Sequence, residues 1–453
     1  MTAHQLPRSA ATSRPVISTL VRLFLIAALA LLLLGTNLDR MSSLGGVFGV
    51  ALAQGHEHSH DHDHDHQHDH DHADEHDHDH HHDHSHAHAA VDGTAGVRLL
   101  LGVANEPRVV VVSAVDGREL ASFGTPAAGT VQQLADTQFA AVVHGAANRV
   151  TFLHSGLTAV DHGDHADLVE GQPYVLATVN TGQRPAHLAS YGDDVVIFND
   201  GDGSVAWFDA RLFGASIHYD QVQGPAPDHG AAVPFAGHVA VGLITPGSVH
   251  VFDRGGVQRA TFEGCELLHG QGLLQDRAVF GCVNGVLVVW QGAGGVFQAR
   301  LLANPAGSPE GARVGTLVTR GATDYLVGNF GEGFAVIDPV ALTLNTYAAP
   351  GTQVGGVFFA DGTSFARLGS DGYVRTYDAA GTELGAVSVT TPVQGGGTNP
   401  AITALGDLAF VTDPAQRQVM LVDLSTATVV GHLHLDVVPA GVALLAIPGA
   451  VLH

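Results

Sequence analysis

From Val97 onwards a unit of four short strand-like runs recurs about every 40 to 45 residues, and that period restricts the fold more than any other property of the chain. One unit reads HLASYGDDVVIFNDGDGSVAWFDARLFGASIHY from His187, the next HGAAVPFAGHVAVGLITPGSVHVFDRGGVQRATF from His229, and a third HGQGLLQDRAVFGCVNGVLVVWQGAGGVFQARLL from His269. The third run tends to close on an apolar residue and Asp: Phe208-Asp209, Phe252-Asp253, Ile337-Asp338, Tyr377-Asp378 and Val422-Asp423. Runs rich in Val, Leu and Phe bounded by Gly, Asp, Asn and Pro are strands with turns. Four of them per repeat is the mark of a propeller blade.

The expected fold is therefore all-β, a β-propeller of seven or eight four-stranded blades. First strands near residues 131, 187, 229, 269, 314, 354, 400 and 441 favour eight. The last unit holds only an innermost strand, while residues 97 to 123 hold strands with no inner partner before them. Pairing the two termini in one blade closes the ring and removes its free edge. The 57 glycines and the low charged fraction, 14%, suit short strands and tight turns.

Ahead of the propeller, residues 96–453, the chain divides into two segments of different character. Residues 1–53 read as a signal peptide: Arg8, Arg14 and Arg22 precede an apolar run of 12 from Leu23 to Leu34, and Ala51-Leu52-Ala53 forms a small-residue cleavage site. That run is shorter than the roughly 18 to 20 residues a spanning helix needs. An uncleaved anchor or a start at Met41 is the alternative; export, to the periplasm or the extracellular space, follows in each case. Residues 54–95 form a His/Asp-rich arm with almost no apolar residue to bury, so it cannot fold alone.

The arm carries 17 of the 31 histidines, alternating with carboxylates. His56, His58, His60, His62, His64, His66, His68 and His70 are followed by His72, His76, His78, His80, His82, His84, His86 and His88, with His81 as the seventeenth. Imidazole beside carboxylate gives overlapping sites for borderline divalent ions, and neutral imidazole is the form that binds, so capture weakens below about pH 6.5. A merely solvating tail would not need histidine at alternate positions. The formal net charge of −25 argues against nucleic acid and anionic membrane surfaces as partners and favours metal cations.

Within the propeller, His187, His229 and His269 occupy equivalent positions at the entry to the first strand of three consecutive blades. Equivalent positions lie on one circle around the axis, so three imidazoles converge on one mouth of the channel, a zinc geometry. A loop in the longest interval, Asp161-His162-Gly163-Asp164-His165, supplies candidates for a fourth ligand in His162, Asp164 or His165, with Asp161 or Asp167 orienting an imidazole. The remaining propeller histidines show no such register and read as structural, except that His432 and His434 share one strand face and can form a secondary site. Cys265 and Cys282 form a disulfide in an oxidising compartment, or else Cys265 is a metal thiolate four residues before His269.

Several local stretches are more specific than the repeat. The loop at 161–165, Arg184-Pro185-Ala186-His187, the run DHGAAVP from Asp228, and CELLHG from Cys265 followed by FGCVNGVLV from Phe280 together resemble the AztD-type periplasmic zinc metallochaperones, from about residue 97 to the C-terminus. The resemblance implies a secreted chaperone that passes Zn2+ to the solute-binding protein of a zinc ABC transporter; a monomer without enzymatic activity is the accompanying expectation. It also implies a principal site among the histidines named above. Asp228 stands where the family pattern pairs a histidine with the one before the Gly-Ala run. Two other functions compete: an interaction scaffold with a metal-buffering tail, and a metal-dependent enzyme, since three histidines with an open position is also a catalytic form. Against the enzyme, the chain has no nucleophile elbow and no HExxH.

Overall fold

A computed structural model of the chain describes residues 91–163, 165–319, 323–393 and 395–450. The signal-peptide reading, the arm histidines and Asp164 lie outside them. The described residues form eight four-stranded antiparallel sheets arranged as the blades of a propeller, plus one two-stranded hairpin. Among them no helix is long and apolar enough to cross a membrane.

The innermost strands begin at Thr130, Pro185, Gly230, Gln271, Val314, Gln353, Ile402 and Pro439, each within two residues of its expected start. We number the blades 1 to 8 in that order. Neighbouring blades pack inner strand against inner strand, or inner against second strand between blades 1 and 2, in a closed circuit. Blade 8 is built from both ends of the chain: Pro439–Leu445 lies innermost and pairs with Arg98–Val103, which Arg108–Ser113 and Glu119–Gly124 follow outwards.

Burial explains how the sequence encodes a strand's position in its blade. Second and third strands lie between two neighbouring blades and are covered on both faces, so they read as unbroken apolar runs such as Val109 to Val112. Outer strands wet one face and alternate, as in Gln258–Glu263. The aspartates that close the third strands cap the turn to the outer strand. Asp253 Oδ1 accepts from the Val257 amide at 2.9 Å, Asp378 Oδ1 from Thr382 at 2.8 Å, and Asp423 Oδ1 from Ser425 at 2.9 Å.

Cys265 and Cys282 are joined, with Cα atoms 5.0 Å apart, which removes Cys265 from the list of thiolate ligands. The bridge ties the segment that leaves blade 3 to the end of the second strand of blade 4, Arg277–Cys282. His269 lies in that segment, and its amide donates to Gly281 O at 3.0 Å. Closing a loop over 17 positions restricts the unfolded chain, so replacing both cysteines with serine is expected to lower stability by about 3 kcal/mol. Denaturant unfolding of the two proteins under oxidising conditions checks this; equal midpoints would contradict it.

Candidate metal centre

His187 sits in the inner strand Pro185–Tyr191, just past an irregularity in its pairing with the second strand of blade 2. His229 directly precedes Gly230–Phe235, and His269 lies two residues before Gln271–Leu274. Gly230 is needed at the second of these entries, since a Cβ there would stand 2.5 Å from Gly242 O and against the Phe198 ring.

The three imidazoles meet as the register predicts. His187 Nε2 and His229 Nε2 are 3.2 Å apart, and the ring centroids of His269 lie 5.6 and 5.3 Å from those of His187 and His229. One ligand atom from each falls within 4.8 Å of the others, the only such group of three or more metal-ligating residues among the described residues. Two ligands each about 2.0–2.1 Å from a tetrahedral ion stand about 3.3–3.4 Å apart, so the first pair already has close to the needed spacing.

Second partners fix which nitrogens face the site. His269 Nδ1 lies 2.6 Å from Gly315 O; a carbonyl can only accept, so Nδ1 carries the proton and Nε2 of the neutral ring offers its lone pair. His229 Nδ1 likewise donates to Asp200 Oδ2 at 2.8 Å. The side chain of Asp200 is only 10% exposed, and its Oδ1 makes no hydrogen bond within the protein. His187 is held neutral: burial, then the neighbouring His229 and His269, push its pKa down to about 4 against the opposing pull of Asp200. A metal arriving near neutral pH displaces no proton from it.

The triad opens into a cavity of about 350 Å³ in the channel, shared with Tyr191, Gln271 and Thr316. A larger channel cavity of about 670 Å³, between blades 5 to 8 and blade 1, is lined by residues such as Thr316, Gln353 and Thr403 and by no histidine.

Asp200 escaped the sequence reading. It follows the second strand of blade 2, Asp194–Asn199, in the turn Asn199-Asp200-Gly201-Asp202-Gly203, at the same end of the blade as His187. An acidic turn at that end of a histidine-bearing blade was the available signal. Asp228 has a different task. Its carboxylate accepts from the amides of His229 and Thr245 at 2.9 and 2.8 Å, shaping the loop that presents His229. Because Asp200 fixes both the orientation and the tautomer of His229, Asp200→Ala is expected to weaken divalent-metal affinity by about 10- to 100-fold. Competition with a chromogenic chelator measures it, and unchanged affinity would remove Asp200 from the site.

His162 and His165 do not complete this shell. The third strand of blade 1, Arg149–His154, starts beside the triad end of the ring, where the Arg184 amide donates to Asn148 Oδ1. It runs to the opposite end before the hairpin Leu157–Asp161/Ala166–Glu170 leaves the blade. His162 and His165 are thereby carried to the other face of the propeller. Asp167, expected to orient an imidazole, contacts these two and not the triad.

Three further histidines make contacts in keeping with a structural role. His144 is buried on Thr151, His154 stacks on Tyr174, and His250 bonds Ser248. His432 and His434 do approach one another, with Nε2 atoms 3.2 Å apart on an exposed outer strand.

No family model matches the chain. The likeness read from the local motifs is borne out by a curated relative. The zinc chaperone AztD of Citrobacter koseri is 26% identical over 350 residues, 73% of this chain and 82% of that protein. The crystal structure of C. koseri AztD superimposes with a TM-score of 0.71 at 23% identity, covering 78% of this chain and 99% of that one, and the structure described as apo AztD does the same. More distant propellers share the fold alone: dihydro-heme d1 dehydrogenase NirN matches with a TM-score of 0.52 at 12% identity over 76% of this chain and 74% of its own.

Proposed function

We propose that this protein is an exported zinc metallochaperone of the AztD type, which holds one zinc ion on His187, His229 and His269 and passes it to the solute-binding protein of a zinc ABC transporter. The observation that carries this reading is the convergence of the three imidazoles, two of them with their Nδ1 protons already committed to Asp200 and Gly315. Likeness to a zinc chaperone in sequence and fold supports zinc as the cargo and carriage, rather than catalysis, as the role.

Three protein ligands leave one tetrahedral position open. A ligand from the acceptor can enter there before any imidazole leaves, so the ion need never be released to water. The half-exposed His229, with its side chain 40% exposed, is the natural first ligand to yield. Upstream, the arm's 17 histidines would collect zinc and raise its local concentration near the better site, with no new contact required. The net charge of −25 favours cations throughout and repels nucleic acid. We read the protein as a monomer that is free of the membrane once its signal segment is removed.

Zinc-loaded mature protein mixed with an apo solute-binding protein of a zinc ABC transporter tests the transfer. Zinc should reach the acceptor faster than it escapes to a chelator of equal affinity. Transfer no faster than that escape would leave a zinc store and not a chaperone.

A further inference from the structure

The hairpin that left the triad unserved carries an arrangement of its own. Its turn doubles back at Gly163, whose φ of +93° favours glycine, and His162 N donates to His165 O at 2.9 Å. The two rings consequently stack with centroids 5.4 Å apart. Both then aim at one carboxylate from the returning strand: His162 Nε2 lies 3.1 Å from Asp167 Oδ2, and His165 Nε2 lies 3.2 Å from Asp167 Oδ1.

We propose that His162, His165 and Asp167 form a second divalent-cation site, separate from the triad and on the opposite face of the propeller. Adjacent ligands of a tetrahedral ion stand about 3.3–3.5 Å apart when each is about 2.0–2.2 Å from it, and each nitrogen has nearly that spacing from one oxygen of Asp167, though from different oxygens. One atom from each residue does not yet fall within 4.8 Å of the other two as in the triad, so the ion must draw the two rings together. Two imidazoles and a carboxylate select a borderline ion such as zinc, copper or nickel over calcium or magnesium, which take oxygen ligands. Stability does not call for the arrangement. The three side chains are 48%, 44% and 33% exposed, and exposed ion pairs contribute little to folding.

The hairpin is also anchored well enough to hold a site. Arg98, buried at the start of its strand in blade 8, donates to Ser155 O at 2.5 Å and to Gly171 O at 2.7 Å and pairs with Glu170, clamping both legs at their base. Gln138 holds Leu157 O at 2.7 Å, and the returning strand buries its own Leu168. The exposed tip leaves the remaining coordination positions open to solvent, so this site binds more weakly than the triad and exchanges faster.

Residue-resolved histidine modification of the mature full-length protein tests the proposal without removing the arm. Diethyl pyrocarbonate acylates an imidazole nitrogen that carries a free lone pair, and peptide mass spectrometry reads each histidine separately. Zinc, the probe, should slow acylation of both His162 and His165 by about tenfold, because a nitrogen bonded to metal cannot react. Asp167→Ala, and His162→Ala read at His165, should bring those rates to within about twofold of their zinc-free values while the triad stays protected. If His162 and His165 keep their zinc-free rates at zinc levels that protect the triad, or if protection survives Asp167→Ala, the second site does not exist. Protection of His187, His229 and His269 in the same spectra reports separately on the chaperone reading.

Discussion

Replacing His187 with alanine should weaken binding of the tight zinc ion at least about a hundredfold, or ~2.7 kcal/mol, while leaving the arm's weaker capacity intact. His187 is one corner of a compact triangle, with its ring centroid 4.8 Å from that of His229 and 5.6 Å from that of His269. Its pKa of about 4 means that no proton competes for it at neutral pH, so the variant loses a ligand that was available without cost. The natural control lacks residues 54–90 and keeps the triad. Every blade strand lies between Arg98 and Leu445, so that deletion removes none of them. Chelator competition should find one tight site in the control and none once His187→Ala is added. Should tight binding vanish with the arm alone, the propeller would be a scaffold for a metal buffer, and the assignment of His187, His229 and His269 would fail.

The largest expected effect on stability comes from ending the chain at Val438. That truncation removes the inner strand of blade 8 and leaves Leu99, Leu100 and Leu101, now fully buried, against a vacant slot. It also strands Gln133, which bonds Leu444 through both its amide nitrogen and its amide oxygen, and it cuts the link from Thr137 to Ala446. Losing one buried leucine side chain costs about 2–5 kcal/mol, and this strand contributes Leu444 and Leu445 together with Val442 and Ala443. The sum is comparable to the roughly 5–15 kcal/mol that holds a domain together, so the truncated chain should fail to accumulate as a soluble fold. Leu445→Ala is the milder version, expected to lower stability by about 2–5 kcal/mol without altering a triad that begins two blades away. Calorimetry decides it: a truncated protein that melts where the intact one does would mean that the shared blade does not close the ring.

Much of this architecture was determined by the sequence itself, because its causes are local or periodic. A strand covered on both faces must be apolar throughout, and an outer strand need be apolar only on one, so the order within each blade is legible from runs such as Val109 to Val112 and Gln258–Glu263. The repeat then does what no single motif can: positions 42 and 40 residues apart become neighbours on a circle, which brings His187, His229 and His269 together. What only the tertiary structure decided depends on direction and distance. Each strand reverses the chain, so an insertion after the third strand of a blade emerges at the end opposite to the first-strand entry. The loop that holds His162 and His165, expected to supply a fourth ligand to the triad, leaves the blade at the other face for that reason. Asp200 reaches His229 across two blades, and Cys265 meets Cys282 rather than a metal, because the fold brings those atoms together. The disulfide was one of two readings the cysteines allowed and the acidic turn at 199–203 was only a hint, because side-chain partnership across blades is set by packing, which the strand pattern leaves open.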